Sequence, residues 1–375
     1  MTAAQERPGE RPPPARPHVL PHGRYDELFE TTAALLALVR RAVLALGPTW
    51  PERLVALGAD PADHPPYSGL ESTETDCCTM LASGEFVVGE TGPRLVALGA
   101  GASLDSAEDV TALSSASQGQ AGGTLFAHDP RAARAAALAD LCAHRGLPRS
   151  VALVGPGFAP DDAHDLRQRG FTTALLGPDR LPGALGRPGR PRYALGLLSG
   201  ARPAADQDRA RLRDAQRAGL LLLPPLSSTL LADRRALALV SEGLPWMTHG
   251  ERSLVERRLP WTRLALAGRT WWHGTEQELP ELLLAQRERF VVKHAVAGAG
   301  PLVAGHETDE RTWTAAVRRA FRNADSVVQE YVRPAPAPLT LSARLFADRP
   351  GGCRVRYPLA GVSRRAAPSA APRCR

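Results

Sequence analysis

The stretch FVVKHAVAGAG, residues 290–300, carries the single lysine of this chain, Lys293, among 46 Lys and Arg residues. It stands between an apolar run and a glycine-rich turn. An ammonium is a compact charge on a flexible stem and can approach one phosphate oxygen, where a planar guanidinium needs a wider slot. Gly298 and Gly300 can lay backbone N–H groups against a polyphosphate without side-chain obstruction. An arginine bias accounts by itself for the rarity of lysine, so the position of Lys293 carries the weight. The plain alternative is a β-hairpin with one exposed lysine, and an exposed strand-end cation is expected to add little to stability. Further on, SVVQEYV ends an apolar run in Gln329 and Glu330 and resumes at Tyr331 and Val332. Such a strand can offer backbone groups to a flat base while Gln329 or Glu330 meets an exocyclic amine or a ribose. Taken alone, it is an edge strand.

The elements that must position these residues are legible in outline. YDELFETTAALLALVRRAVLAL has helical periodicity, with acids early and Arg late, as the helix dipole favours. SGEFVVGETGPRLVALGAGA reads as a β-hairpin around GETGPR. From about residue 126, strands such as SVALVG, FTTALLG, RYALGLLSG and LLLLPP alternate with helices, which predicts a parallel, Rossmann-like sheet. Then SSTLLADRRALALVSEG reads as one helix, and Thr248 is a candidate N-cap with Glu251 in the capping-box position. TEQELPELLLAQRER is expected to be a helix, RFVVKHAVAGAGPLVAG strand–turn–strand, and DERTWTAAVRRAFRNA a helix leading into SVVQEYV.

Composition bounds the function. The net charge of +7 suits a phosphate-bearing or acidic partner. The arginines alternate with acids, as in DQDRARLRDAQRAG, and form no basic cluster interleaved with aromatics, so no nucleic acid is expected as a partner. VGPGF lacks the third glycine of a dinucleotide fingerprint, and the acid expected further on is absent. Cys77, Cys78, Cys142, Cys353 and Cys374 form no CxxC pair and are odd in number. They suit a reducing cytoplasm, with a thiol nucleophile at Cys77 or Cys78 the sharper alternative to buried thiols. No apolar run reaches the ~18 residues that span a membrane, and the polar, Pro-rich N-terminus has no signal-peptide core.

FVVKHAVAGAGPLVAG, TWTAAVRRAF and SVVQEYV together resemble the nucleotide-binding core of the ATP-grasp superfamily. The order of the whole chain resembles its circularly permuted branch, the glutathionylspermidine synthase-like carboxylate–amine ligases. The resemblance spans about residues 25–350 and implies an α/β (α+β) fold, a permuted ATP-grasp core with a Rossmann-like middle domain. The expected division is a disordered leader (1–23), a helix and hairpin region completing the core (24–125), the Rossmann-like domain (126–226), the nucleotide-binding region (227–350) and a divergent or disordered tail (351–375). The implied chemistry is ATP-dependent activation of a carboxylate as an acyl phosphate and amide formation with an amine, with magnesium as cofactor. Its setting would be specialised metabolism, and its substrates small carboxylates and amines such as amino acids or peptides. By resemblance Lys293 contacts the ATP phosphates, Gly298 and Gly300 form the covering loop, and Gln329, Glu330 and Val332 line the adenine pocket. Arg263, in LPWTR, falls where many such proteins carry a first phosphate-binding cation.

The resemblance breaks at the metal site. Glu85 takes the place of the first acid, but the Glu-x-Asn pair that follows in the family falls on Ala97 and Gly99, neither of which binds a metal. Asp105, Glu108 and Asp109 are the nearby acids available as substitutes. Phosphoryl transfer relies on charge neutralisation by the ion. The alternative to a ligase is therefore a catalytically degenerate relative that serves as a binding module or as the partner of another protein.

Overall fold

The computed structural model describes residues 21–59, 75–100, 128–177, 180, 192–199, 206–225, 227–297, 299–300, 302–334 and 340–356. The described elements begin with α1 (His22–Ala45) and α2 (Trp50–Leu57), followed by the hairpin β1 (Leu81–Gly89) and β2 (Gly92–Ala100). The middle alternates α3 (Pro130–Arg145), β3 (Ser150–Val154), α4 (Pro160–Gln168), β4 (Thr172–Leu176), β5 (Leu195–Leu198), α5 (Asp206–Arg217) and β6 (Leu221–Leu223). Next come α6 (Ser228–Leu231), α7 (Arg234–Glu242), α8 (His249–Arg258), β7 (Thr262–Leu264), β8 (Arg269–Trp272), β9 (Thr275–Glu278) and α9 (Leu279–Ala285). The last part holds β10 (Phe290–His294), β11 (Leu302–Ala304), α10 (Glu310–Asn323), β12 (Ser326–Glu330), β13 (Thr340–Phe346) and β14 (Arg349–Arg356). The architecture is mixed α/β.

Among the described residues the strands form three four-stranded sheets and a two-stranded ribbon of β8 and β9. The first sheet, β14-β13-β1-β2, is antiparallel and joins the N-terminal hairpin to the last two described strands. α1 lies across it, packing Leu35, Leu36 and Val39 in one core with Phe86, Leu95, Leu98, Leu341 and Leu345. Position 84 must be glycine here, because a β-carbon would run into Thr32 Oγ1 and the Phe86 ring. Since Gly84 and Phe86 face the helix, Glu85 is turned to the opposite face, next to a register shift between Glu85 and Phe86.

The second sheet, β11-β10-β12-β7, is antiparallel throughout. One face packs Phe290, Val292 and Val328 against Leu282 and Leu283 of α9 and Trp313 and Val317 of α10. Trp313 is fully buried, and its indole N–H donates to the Leu283 carbonyl at 2.8 Å. The third sheet, β4-β3-β5-β6, is parallel, as the strand–helix alternation predicts. Val151 and Leu153 face α3 and α4, while Ala152 and Val154 face α5, so successive residues serve opposite cores. The α3–α4 core also takes Leu81 and Phe346 from the first sheet and so ties the two sheets together.

Local signals decided most ends. Thr248 and Glu251 form the expected capping box at the start of α8. The single helix expected over SSTLLADRRALALVSEG is interrupted instead: Asp233 accepts from the Arg235 N–H at 2.8 Å and caps a new helix. The helix expected over TEQELPELLLAQRER is shorter too. Thr275–Glu278 is a strand paired with β8, because Pro280 is tolerated in the first turn of a helix and not inside one. α1 begins at His22, within the expected leader, whose residues 1–20 lie outside the described residues. β14 runs through the expected boundary at 351, because Ala343 pairs with Cys353 and Thr340 with Arg356.

The contact at position 84 is testable. Gly84→Ala should cost about 1–3 kcal/mol in urea unfolding by overpacking the α1 interface. Adding Thr32→Ala should recover part of that loss, since it removes the atom in the way. Strict additivity of the two losses would show that Gly84 is not set by this contact.

Candidate functional site

Lys293 is not the exposed strand-end cation that its surroundings suggest: its relative exposure is 8%. In the β10–β12 register it sits opposite Val327, on the face away from α9 and α10, and that face is covered by the N-terminal hairpin. Its amine donates to Gln329 Oε1 at 2.6 Å and to the Val96 carbonyl of β2 at 3.3 Å. Gln329 is held in turn, its amide N–H donating to Thr262 Oγ1 at 3.0 Å while the Thr262 hydroxyl donates to the Pro260 carbonyl at 2.7 Å. This direction of donation fixes the Gln329 oxygen toward the lysine. Burial pushes the Lys293 pKa down from 10.5 to about 7; repulsion from Arg234 adds to the fall and Glu85 opposes it. A neutral amine has two N–H donors, and two acceptors meet it.

Arg234, the first residue of α7, supplies the second cation of this seam. It donates from Nη1 to the His294 carbonyl at 2.6 Å, and its backbone N–H donates to the Ala295 carbonyl at 2.9 Å. Its Nε is enclosed without a hydrogen-bond partner. Burial pushes its pKa below the ordinary arginine value, with Glu85 and Asp233 acting the other way. Among the described residues Glu85 is thus the carboxylate whose charge acts on both cations.

A magnesium ion requires several hard oxygen donors. Here Ala97 stands directly opposite Glu85 in the β1–β2 register and Gly99 opposite Ser83, while the Val96 carbonyl is engaged by Lys293. Among the described residues no group of three or more His, Cys, Asp or Glu side chains can hold a metal ion. The described surroundings of Glu85 therefore do not fit magnesium. Asp105, Glu108 and Asp109 lie outside the described residues.

Beside this seam opens a cleft of about 570 Å³. One wall is the β1–β2 turn with Glu90, Thr91 and Arg94, and the other is the segment Glu330–Arg333 that leaves β12. His273 and Arg289 close one end. Glu330 accepts from Arg289 Nη2 at 3.2 Å and lies 3.1 Å from His273 Nε2. His273 reaches it from the β8–β9 turn, where its φ is 48°. Arg94 donates to the Leu259 carbonyl at 2.9 Å and keeps a buried Nε without a partner; burial lowers its pKa and Glu330 opposes the shift. The Tyr331 ring stacks on His306 with centroids 3.8 Å apart. Flat groups and guanidinium groups on one cleft suit a flat ring with an anionic tail.

The structure distributes the expected site residues unevenly. It brings Glu85 of β1 within electrostatic reach of Lys293 of β10. Glu330 and Val332 line the cleft, whereas Gln329, one residue earlier, is turned inward and used up by Lys293 and Thr262. Arg263 is not beside Lys293. It pairs with Val328, whose side chain lies in the α9–α10 core, so it projects from the opposite face. There its guanidinium lies 4.6 Å from the Trp261 ring centroid and donates to Ser241 Oγ at 3.3 Å. Gly300 packs on the His294 ring, where a β-carbon would come within 3.0 Å, and Gly298 lies outside the described residues. Arg234, Arg94, His273 and Arg289 had no motif to mark them; only their placement does. Scanned against models of known protein families, the chain matches none, and a search of curated proteins finds no relative.

The buried lysine predicts a pH signature. Its folded pKa lies below its unfolded value, so from about pH 7 up to 10.5 the unfolded chain holds a proton that the folded chain lacks. Stability should therefore rise with pH through that window on account of Lys293, by up to about 1.4 kcal/mol per unit. Lys293→Met should flatten that rise, narrowing the stability difference between pH 7 and 9 by about 2 kcal/mol in urea titrations. Parallel profiles for the two proteins would place the lysine in water.

Proposed function

We propose that this chain is a nucleotide-binding protein of the circularly permuted ATP-grasp type, and that it works as a binding module or partner subunit. The observation that carries it is the seam itself: a hairpin from the N-terminal region closes over β10, and the Val96 carbonyl accepts from Lys293 across 197 residues of sequence. A permuted core predicts that closure, with two antiparallel sheets facing each other across a lysine. The base of an adenine nucleotide would lie in the cleft against Glu330, Tyr331 and Val332, with Arg94 and Arg289 at hand for its anionic part. A non-catalytic role is supported by Ala97 opposite Glu85, because the described residues leave magnesium without a donor set.

A second reading keeps the carboxylate–amine ligase with ATP and magnesium. It is favoured by one feature, the retention of Glu85 at the acid position, facing Lys293 and Arg234. In that case acids outside the described residues would complete the metal site.

Calorimetry separates the two. ATP should bind without magnesium, and Arg94→Ala or Glu330→Ala should weaken that binding about tenfold, the order expected for one charge-assisted contact. Failure to bind ATP at millimolar concentration would end the nucleotide assignment. ADP release with magnesium and a pool of amino acids would favour the ligase.

A further inference from the structure

We propose that β4, the outer strand of the parallel sheet, pairs with β4 of a second copy of this chain, antiparallel about a two-fold axis at Ala174. The parallel sheets of the two copies then become one continuous sheet. No residue of β4 lines the cleft, so the pairing is independent of the nucleotide assignment.

β4 runs from Thr172 to Leu176 with β3 on one side of it. The Thr172 N–H donates to the Arg149 carbonyl at 2.9 Å, and the Leu176 carbonyl accepts from the Gly155 N–H at 3.1 Å. Both residues therefore aim their backbone groups at β3, and by alternation Thr173 and Leu175 aim theirs outward. Among the described residues no backbone partner meets these outward groups. An open edge invites another strand, and proteins guard it with charge, proline or shortness. Elsewhere in this chain such guards are present: β6, β7 and β11 have three residues each, β9 carries Glu276 and Glu278, and β14 carries Arg349 and Pro350. β4 has neither charge nor proline, and its Leu175 is 40% exposed. The edge also matches its own image, so it needs no other kind of chain. With the axis at Ala174, Thr173 falls opposite the second copy's Leu175, and the two exchange both N–H···O bonds. Ala174 meets its counterpart as a non-hydrogen-bonded pair, where side chains come closest and small ones fit. Leu176, half-buried beside α5, falls opposite the second copy's Thr172, so apolar surface is covered on both faces. Arg167 donates from Nε to Thr173 Oγ1 at 3.1 Å, which places its charge over the α4 face and off the edge.

Sedimentation equilibrium of the full chain tests the pairing. A reversible particle of twice the chain mass should form as concentration rises to about 1 mM. Salt should favour it, because each copy carries a net charge of +7. Leu175→Lys should weaken dimerisation about tenfold or more by putting a charge on the edge, and should leave the monomer's melting temperature unchanged because this side chain is exposed. Ala174→Cys reads the register. The Cα atoms of a facing non-hydrogen-bonded pair lie about 4.5 Å apart, so diamide should link two copies of this variant through a disulfide. Thr172→Cys, with Leu176 opposite, should not link. Both cysteine variants are made with Cys374→Ser, since Cys77, Cys78, Cys142 and Cys353 are buried. Amide hydrogen exchange adds a further readout: Thr173 and Leu175 should exchange freely in the dilute monomer and slowly in the dimer. A chain that is monomeric at every concentration overturns the pairing, as does a dimer that Leu175→Lys leaves intact or that Ala174→Cys fails to link. Amides already slow in the dilute monomer would show that the chain covers its own edge and would overturn it too. Should Leu175→Lys fail to fold, the disulfide link and the exchange rates still decide.

Discussion

The cost of taking one ammonium out of water governs the centre of this molecule. Lys293 lies between two antiparallel sheets, and a charge there is disfavoured unless it is met by an opposite charge or gives up its proton. Its neighbourhood meets that cost in part. Gln329 and the Val96 carbonyl accept from the amine, and Thr262 and the Pro260 carbonyl hold Gln329 in the one orientation that can accept. The polar chain therefore runs from β7 through β12 and β10 to β2, and it links the N-terminal hairpin to the second sheet by a directed contact as well as by apolar packing.

Pleating explains why adjacent residues of β12 have different work. Gln329 points into the seam and is committed to internal hydrogen bonds, whereas Glu330, at the end of the strand, reaches the cleft and gathers Arg289 and His273 around its carboxylate. The same alternation removes Arg263 from the lysine face, although in sequence it lies at a suitable place. In its stead α7 begins where β10 ends, and its first side chain, Arg234, caps the His294 carbonyl. Among the described residues Glu85 acts on both of these cations, and Asp233 acts on Arg234 as well.

Much of the scaffold was legible from local physics. The β1–β2 hairpin, the parallel middle sheet, the capping box at Thr248 and the strand–turn–strand around Lys293 follow from periodicity of two or 3.6 residues and from turn and cap chemistry, which act over a few residues. The misreadings were also local: Pro280 ends the expected long helix on its N-terminal side, and Asp233 restarts another. Each is a single-residue signal outweighed by the apolar pattern around it.

Composition and spacing determined that Lys293 is the one lysine and that it ends an apolar strand before a glycine-rich turn, while the resemblance alone gave Ala97 and Gly99 their place in a metal site. Only the tertiary structure decided that this lysine is buried, that its neighbour is Arg234 and not Arg263, and that Gln329 is spent on holding it. The reason is that burial, pKa and strand register are properties of contacts between distant segments, such as Val96 and Lys293, 197 residues apart. A pattern read along the chain shows which faces are apolar, but not which faces are brought together.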